Sequence, residues 1–363
     1  MRSQRRCVLR QAIVTCLFAV MVGSITEENK AQAEPPRSTS AVPVPTSKSQ
    51  TVYRRNDDRT VVNPKRLAGS KIRRFESKRL VLYTDIEDQK LAASIPKLAD
   101  ALFDRLTKYF GALPASRQGG EFQATGFLMA EKSTFQSLGL LTSRVPQFEN
   151  GRHLGYEFWA NAQDFDYYTR HLALHEFTHC FMTCVTGSTN APPPWYMEGM
   201  AEYFATHRIT PNGPTFGVMP ENKKDYEGFG RTTFLNRAVS GGESLRLAKV
   251  MQVKPSDPAI YPWSWAACWF LAEHPKYGEG FRKLGAHISY AQFMQKLSLL
   301  VANDPEELEV RWHEFINQLV DGYDLKRGAI AMSPCKQLAV GGTATFSVQA
   351  GKGWQSTGVQ LEP

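Results

Sequence analysis

The chain has 363 residues, of which 42% are hydrophobic, enough to supply the core of one or two domains. Its formal net charge is +8 at pH 7. The first 33 positions hold five basic and two acidic residues, so the remainder carries +5, a modest excess that does not indicate binding to nucleic acid. After the N-terminal segment no run of 18 consecutive apolar residues occurs, so no transmembrane span is predicted.

The first 33 residues have the layout of a secretory signal peptide. Four arginines in the first ten positions precede a mainly apolar stretch over residues 12–25, and Ala31-Gln32-Ala33 offers a cleavage site of the A-x-A type. The pair Arg5-Arg6 faintly resembles a twin-arginine signal, but general secretion is favoured. We therefore expect cleavage near Ala33 and export to the periplasm, the cell surface or the medium.

A disordered linker is predicted over residues 34–75. Its first thirty residues are rich in Pro, Ser and Thr and poor in large apolar side chains. A basic cluster over residues 65–79 can be a solvated face of this linker or a contact with an anionic wall or membrane, and the solvated face is favoured. The folded domain is therefore expected to begin near residue 76.

Three strands and one long helix are predicted between the linker and the middle of the chain. Residues 79–84, 122–129 and 152–160 are apolar runs typical of strands. Residues 85–110 carry apolar side chains at helical spacing, and Gly111 ends that helix. A small sheet is therefore expected ahead of the central motif.

The central motif is His175-Glu176-Phe177-Thr178-His179, in an apolar segment without Pro or Gly that predicts a helix. Residues four apart lie on one face of a helix, so His175 and His179 present two imidazoles to one point. This is the spacing at which two neutral histidines bind a zinc ion. Glu176 lies one step round the helix, within reach of a water molecule at the metal without being a ligand.

A second helix is predicted after Gly187, which can end the first helix, and Pro192-Pro193-Pro194, which can begin the next. If this helix returns beside the first, Glu198 becomes a third metal ligand. A catalytic zinc ion has three protein ligands and an open fourth position. Glu202 lies four residues further along the same face, where it can accept the free ring N–H of a ligating histidine.

The rest of the chain is predicted to be mainly helical, with a short β segment over residues 331–363. Helices are predicted over residues 262–272, 278–286, 290–301 and 305–320. The expected fold is α+β: a small sheet, then the helix pair with the histidines, then a helical lobe, in one domain over residues 76–330.

The residues of the helix pair resemble the gluzincin metallopeptidases of the peptidase MA-like superfamily. The match consists of His175-Glu176-x-x-His179, eighteen intervening residues, and Glu198 in a Trp-x-x-Glu-Gly-x-Ala-Glu context. It is clear over residues 167–203, and the eighteen-residue gap is characteristic of the aminopeptidase branch. The resemblance implies a thermolysin-like catalytic domain that binds one zinc ion per chain through His175, His179 and Glu198.

The resemblance also implies hydrolysis of a peptide or protein substrate. Zinc lowers the pKa of a water molecule and polarises the scissile carbonyl, while Glu176 takes the proton of the water and delivers it to the leaving nitrogen. In the aminopeptidase branch a tyrosine well beyond the glutamate ligand donates to the oxyanion, and Tyr261 lies 63 residues after Glu198. A tyrosine that only packs at the start of a helix fits this position equally well.

The segment ahead of the motif helix departs from the aminopeptidase pattern. Those enzymes carry a Gly-x-Met-x-Asn type segment near which the free amine of the substrate binds, and residues 151–158 do not match it. Glu157 is a partial substitute, but an endopeptidase is favoured over an aminopeptidase. The substrate is expected in the cleft between sheet and helical lobe, paired with an edge strand within residues 152–159.

The remaining histidines are not predicted to be zinc ligands. His171 lies one turn before His175 on the same face, and we expect it to support a ligand or to face the substrate. The others have no partner at a metal-binding spacing and are expected to be surface or ordinary packed residues: His153, His207, His274, His287 and His313.

A second class of function fits the same sequence. An exported binding or scaffold protein can retain a metallopeptidase-like fold without catalysis. Such a protein is expected to lose the general base or a ligand, whereas this chain has Glu176 and all three ligand residues. The sequence therefore favours an enzyme.

Four cysteines follow the signal peptide, namely Cys180, Cys184, Cys268 and Cys335. In an oxidising compartment they can form up to two disulfides, with three complete pairings. Buried free thiols are also compatible with the sequence.

Overall fold

The computed structural model combines one mixed sheet with a larger number of helices. It describes residues 53–186, 192–285, 290–302 and 304–323, and four short strands between residues 336 and 360. The predicted signal peptide, the first part of the linker, Gly187, His287 and Cys335 lie outside the described residues. Within the described ranges, no helix has both the length and the apolar character required to cross a membrane.

The predicted linker is too long at its C-terminal end. Its last part contains a short helix, α1 (Pro64–Leu67), and a strand, β1 (Arg73–Glu76), which pairs with β2 (Leu80–Thr84). Earlier in the segment, the hydroxyl of Tyr156 donates to the carbonyl oxygen of Arg55 at 2.7 Å. Many of these contacts use backbone polar groups, so the low apolar content of the segment gave no sign of them.

The sheet has five strands in the spatial order β1-β2-β3-β5-β4. The further strands are β3 (Ala124–Met129), β4 (Gly151–Leu154) and β5 (Glu157–Asn161). Strands β2, β3 and β5 are parallel, and β1 and β4 are added antiparallel at the two edges. The strands predicted over residues 79–84 and 122–129 agree with β2 and β3.

The single strand predicted over residues 152–160 is wrong, because this segment is a hairpin of β4 and β5. Leu154 pairs with Glu157 across a two-residue turn, and Gly155 has a φ of +59°, which suits glycine in a tight hairpin. The apolar residues belong to β5, which is buried on both faces inside the sheet, whereas β4 is the partly exposed edge strand.

Alternation along the strands gives the sheet two apolar faces. Leu82 and Phe158 belong to the main core, and Tyr83, Phe127 and Trp159 belong to a smaller cluster on the opposite face. Helix α2 (Gln89–Phe110) follows β2, α3 (Lys132–Ser137) follows β3, and α4 (Asp166–Thr186) follows the β4–β5 hairpin. Helices α2 and α4 pack on the main-core face, and the cluster on the other face includes Phe135 of α3.

Helix α2 begins at Gln89 and not at residue 85 as predicted. The Asp88 side chain caps it by accepting from two backbone N–H groups of the first turn. Asp85 instead accepts from two backbone N–H groups just after β3, at 2.7 and 3.0 Å. This carboxylate therefore joins the ends of two parallel strands and does not start the helix.

The second half of the chain is mainly helical. Its elements are α5 (Pro194–Ala205), the hairpin β6 (His207–Thr210) and β7 (Gly213–Phe216), α6 (Arg231–Ser240), α7 (Leu247–Val250), α8 (Ile260–Glu273), α9 (Gly278–Leu284), α10 (Tyr290–Val301) and α11 (Pro305–Gln318). The four predicted helices match α8 to α11 within two residues at each end. The β6–β7 hairpin, α6 and α7 were not predicted. In the predicted C-terminal β segment, β8 (Lys336–Gln337) pairs with β11 (Val359–Gln360), and β9 (Ser347–Gln349) with β10 (Gly353–Gln355).

Helix α5 is held between α4 and α8. Gly199 permits the close approach to α8, because a Cβ at this position would lie 2.4 Å from the carbonyl oxygen of Ser264. Every residue of α8 except Tyr261 and Glu273 is buried. Apolar packing therefore holds α5 on two sides, against α4 and against α8.

The cysteines of the described part are not paired. Cys180, Cys184 and Cys268 are buried free thiols. The first two lie one turn apart on α4, and the third lies on α8 against Gly199. Burial raises the pKa of the Cys184 thiol to about 11, which disfavours the reactive thiolate.

Candidate metal centre

Three side-chain atoms converge between α4 and α5. Nε2 of His175 and Nε2 of His179 are 3.0 Å apart, and each lies 3.2 Å from Oε2 of Glu198. Both imidazoles are almost fully buried, and the Glu198 side chain is 25% exposed. The structure thus brings together the three residues that the sequence analysis proposed as ligands.

Local structure accounts for this convergence. The two histidines are one turn apart on α4, whose other faces pack on the sheet and on α2. Helix α5 begins at Pro194, where the missing N–H has no cost and the fixed φ suits a helix. Buried residues such as Trp195 and Met200 fix the rotation of α5 about its own axis, so that Glu198 faces α4.

The donor atoms fit a metal ion. Two imidazole nitrogens and a carboxylate oxygen at mutual distances of 3.0–3.2 Å need a shared proton or cation between them. Ligand atoms about 2.0–2.1 Å from a tetrahedral zinc ion are about 3.3 Å from one another. The observed separations are close to that value, so this group can hold a metal ion.

A second group of donors, formed by His171, His175 and Glu202, also has the spacing of a metal site. Here a positive charge already binds the carboxylate. Nε of Arg231 donates to Oε2 of Glu202 at 2.9 Å, and Nη2 donates to Oε1 at 2.9 Å. A guanidinium in bidentate contact competes with a cation for the same oxygens, so this second group is the poorer metal site.

Glu202 instead lies behind His175 of the first group, which consists of His175, His179 and Glu198. Its Oε1 lies 3.2 Å from Nδ1 of His175, and its Oε2 lies 3.3 Å from Nε2 of His171. A carboxylate behind a histidine fixes the tautomer that leaves Nε2 free for a metal. Burial alone would raise the pKa of Glu202, but Arg231 and His171 together hold that pKa well below its usual range. Glu202 and His171 therefore lie next to the first group, and the supporting role expected for them stays a prediction.

Arg231, the first residue of α6, was not predicted to belong to the site. Besides binding Glu202, it donates to the hydroxyl of Tyr168 at 3.1 Å and lies 5.7 Å from the ring centre of Tyr261. Its helix starts after Gly230, which has a φ of +60°, in a segment with no recognised motif. Residue 231 is separated from Glu202 by 29 positions, so no local spacing marks the contact.

Glu176 lies beside the three donors without joining them. Its side chain is 6% exposed, and no hydrogen bond from any described residue reaches its carboxylate. Nδ1 of His153 is 3.8 Å from Oε2, beyond hydrogen-bond distance. Burial raises the pKa of Glu176. A carboxylate that is neither a ligand nor hydrogen-bonded can accept a proton.

Tyr261 lies in the first turn of α8, inside the helix and not just before it. Its ring centre is 6.1 Å from that of His175. Burial and then the negative charge of Glu198 raise the pKa of Tyr261, so the hydroxyl keeps its proton. The Tyr261 side chain therefore lies near His175 of the candidate metal site, and its hydroxyl has a hydrogen that it can donate.

His153, which was expected to be a surface or ordinary packed residue, packs directly against the candidate site. Its ring stacks on His179, with centres 4.6 Å apart and an interplanar angle of 19°. Gly151 and His153 alternate along β4, a period-two signal that would have pointed to this face if the hairpin had been recognised. The other described histidines pack or pair elsewhere: His207 on Tyr167, His274 on Tyr277, and His313 with Glu309.

No protein-family model matches this chain, and no curated protein matches it in sequence. The chemistry of the site therefore follows from its residues alone. Those residues are three donors that can hold a metal ion, one carboxylate without a hydrogen bond from the described residues, and one tyrosine.

Metal analysis of purified variants separates the two groups of donors. We expect one divalent ion per chain in the wild type and its loss in His179→Ala and Glu198→Ala, because each removes one of three ligands. His171→Ala should keep the ion, since it removes only a contact of Glu202. Inductively coupled plasma mass spectrometry after dialysis measures the stoichiometry. Metal kept by His179→Ala but lost by His171→Ala would assign the ion to the second group.

Removal of Arg231 leaves Glu202 as a buried charge without its main partner. Arg231→Met should lower the free energy of unfolding by about 3–5 kcal/mol, the scale for breaking a buried ion pair. In a Glu202→Gln background the same change should cost much less, because the charge is gone. Chemical denaturation of the four proteins measures both effects. Equal losses in the two backgrounds would contradict the role of this pair.

Proposed function

We propose that this chain is an exported zinc-dependent peptidase that cleaves internal bonds of a peptide or protein. The observation that carries the proposal is the free carboxylate of Glu176 beside the convergent donors of His175, His179 and Glu198. Hydrolysis at a metal needs an electrophilic ion and a base that takes the proton of water. One helix and its neighbour supply the residues for both.

The donor set supports zinc. Two imidazole nitrogens and one carboxylate oxygen are a common catalytic zinc set, and three protein ligands leave a fourth position for water or substrate. Calcium and magnesium prefer oxygen ligands throughout. Iron(II) oxygenases also use two histidines and one carboxylate, but the additional free carboxylate of Glu176 is the group that hydrolysis requires.

Each residue of the site has one role in the proposed reaction. Zinc, when bound, supplies a Lewis acid that polarises the substrate carbonyl and lowers the pKa of water to near neutrality. Glu176 accepts a proton as the water oxygen bonds to the carbonyl carbon, and returns it to the nitrogen as the C–N bond breaks. Tyr261 donates a hydrogen bond to the developing oxyanion. Glu202 and Arg231 keep His175 in the tautomer that presents Nε2.

The position of β4 supports a peptide as the substrate. This strand is the last in the sheet, and its outer edge has no partner among the described strands. An extended peptide can pair with such an edge through backbone hydrogen bonds. Gly151 of β4 touches the Glu176 carboxylate, so a peptide on this edge would lie near the base.

The surroundings of Glu157 support an endopeptidase over an aminopeptidase. The Glu157 side chain is 2% exposed and forms an ion pair with Arg144. It also accepts from the backbone N–H of Thr60 at 3.2 Å. These contacts use the carboxylate, so it is not available to bind the free amine of a substrate.

The order of elements supports a gluzincin-like catalytic domain. Helix α4 carries the two histidines and α5 carries Glu198, an order compatible with the two zinc-site helices that the sequence resemblance implies. The signal-peptide pattern of the N-terminus supports export. A non-catalytic binding protein is the alternative, but such a protein has no need for a free acid at position 176 beside an intact ligand set.

Glu176→Gln should separate metal binding from hydrolysis. The amide keeps the shape of the side chain but cannot act as a base, so zinc should stay at one per chain while kcat falls at least ~100-fold. Digestion of a peptide library with and without a chelator, followed by mass spectrometry, measures the activity. Glu279→Gln, which changes an exposed residue paired with Lys283, is the control and should match the wild type. Undiminished turnover by Glu176→Gln would show that the hydrolysis arises elsewhere.

Tyr261→Phe should remove one hydrogen bond to the oxyanion. The expected loss in kcat is ~10²–10³-fold, as for other oxyanion donors, and KM should change much less because the bond forms mainly in the transition state. The matched control is Tyr277→Phe, a buried tyrosine just beyond the other end of α8. Kinetics on a substrate identified by the library digest measure both. A kcat close to wild type would mean that Tyr261 only packs against His175.

A further inference from the structure

Strand β4 directs two residues at helix α4. Side chains alternate along a strand, so Gly151 and His153 share one face, while Arg152 and Leu154 share the other. Contacts of the first face reach Glu176 and His179 on α4. The edge strand therefore touches the candidate site directly.

Gly151 lies against the end of the Glu176 side chain. A Cβ at position 151 would lie 2.4 Å from Oε1 of Glu176, and 3.0 Å from both Cδ and Cγ. Gly151 is not among the glycines with positive φ, so its backbone does not require glycine. The requirement comes from the space that the carboxylate occupies.

His153 lies on the other side of the same carboxylate. Its ring stacks flat on His179, and its Nδ1 is 3.8 Å from Oε2 of Glu176. The His153 side chain is 29% exposed. Glu176 Oε1 thus borders the bare Cα of one residue, and Oε2 borders the imidazole of the next residue on that face.

Packing must hold Glu176, because no described residue gives its carboxylate a hydrogen bond. A glutamate side chain has several rotatable bonds and many accessible rotamers when it is not fixed. A general base has to keep a set distance and direction to the proton that it accepts. Steric walls can provide this while leaving the oxygen lone pairs free.

We propose that Gly151 and His153 form a slot in β4 that positions the carboxylate of Glu176. Gly151 leaves room for Oε1, and His153 forms the wall beside Oε2. Both are positioning residues, since they act through Glu176. The effect on catalysis rests on the proposed function, whereas the slot itself rests on the contacts of β4 with α4. In this arrangement the strand that is open to a substrate backbone also fixes the base.

The first test is a stability cycle that needs neither zinc nor substrate. Gly151→Ala should lower Tm by about 2–4 °C because the new methyl group displaces the Glu176 side chain. In a Glu176→Ala background the shift should nearly vanish, since Cγ, Cδ and both oxygens are absent. Thermal unfolding of the full chain by circular dichroism measures all four proteins. Equal shifts in both backgrounds, or failure of Gly151→Ala to fold in both, would overturn the slot.

The second test uses kinetics on a substrate from the library digest. Gly151→Ala should reduce kcat about 100-fold, the scale for a misplacement of about 1 Å, with zinc content and KM close to wild type. His153→Ala should reduce kcat by about tenfold or more, and His153→Phe should restore most of it, because a flat ring again covers Glu176. If His153→Phe is as impaired as His153→Ala, the ring is not a wall of the slot.

The two tests distinguish the slot from the proposed function. Coupling between positions 151 and 176 in the Tm cycle, with no hydrolysis by the wild type, would support the slot and remove the peptidase. Zinc-dependent hydrolysis without that coupling would support the peptidase and remove the slot.

Discussion

The site depends on the compensation of one buried charge, the carboxylate of Glu202. Its side chain is 2% exposed, and a charge at such depth is costly unless partners compensate it. Glu202 comes from α5, His171 and His175 come from α4, and Arg231 comes from α6. One charge balance therefore joins three helices. Because the same carboxylate lies behind His175, the requirement to neutralise the core also sets the direction in which Nε2 points.

The sheet contributes to the site through an edge and not through the ends of its parallel strands. Strands β2, β3 and β5 have both faces covered by apolar packing. They contribute none of the described donors of the candidate metal site, which are His175, His179 and Glu198. Strand β4 is antiparallel, partly exposed, and in contact with α4 through Gly151 and His153. The tight turn at Gly155 makes this possible, because it joins the edge strand β4 directly to β5 inside the sheet.

Periodicity explains which predictions agree with the structure. Residues four apart share a face in any α-helix, so His175 and His179 converge whatever the surrounding fold. Apolar spacing likewise located α8 to α11 within two residues. Errors occurred where a local pattern has two solutions. Alternating and continuous apolar residues over 151–160 suit one long strand or a hairpin, and Asp85 suits a helix start or a contact with the end of β3.

The sequence by itself determined the chemical types of the three candidate metal ligands and the spacing of His175, Glu176 and His179, because that spacing lies within about one turn of a helix. The partners of those residues were decided by the tertiary structure. Arg231 reaches Glu202 from 29 positions away, and His153 reaches His179 from another strand. The need for glycine at position 151 depends on which side chain lies opposite it. Such contacts join elements that are distant in the chain, and no local period encodes them, because their geometry exists only after the helices and the sheet have packed.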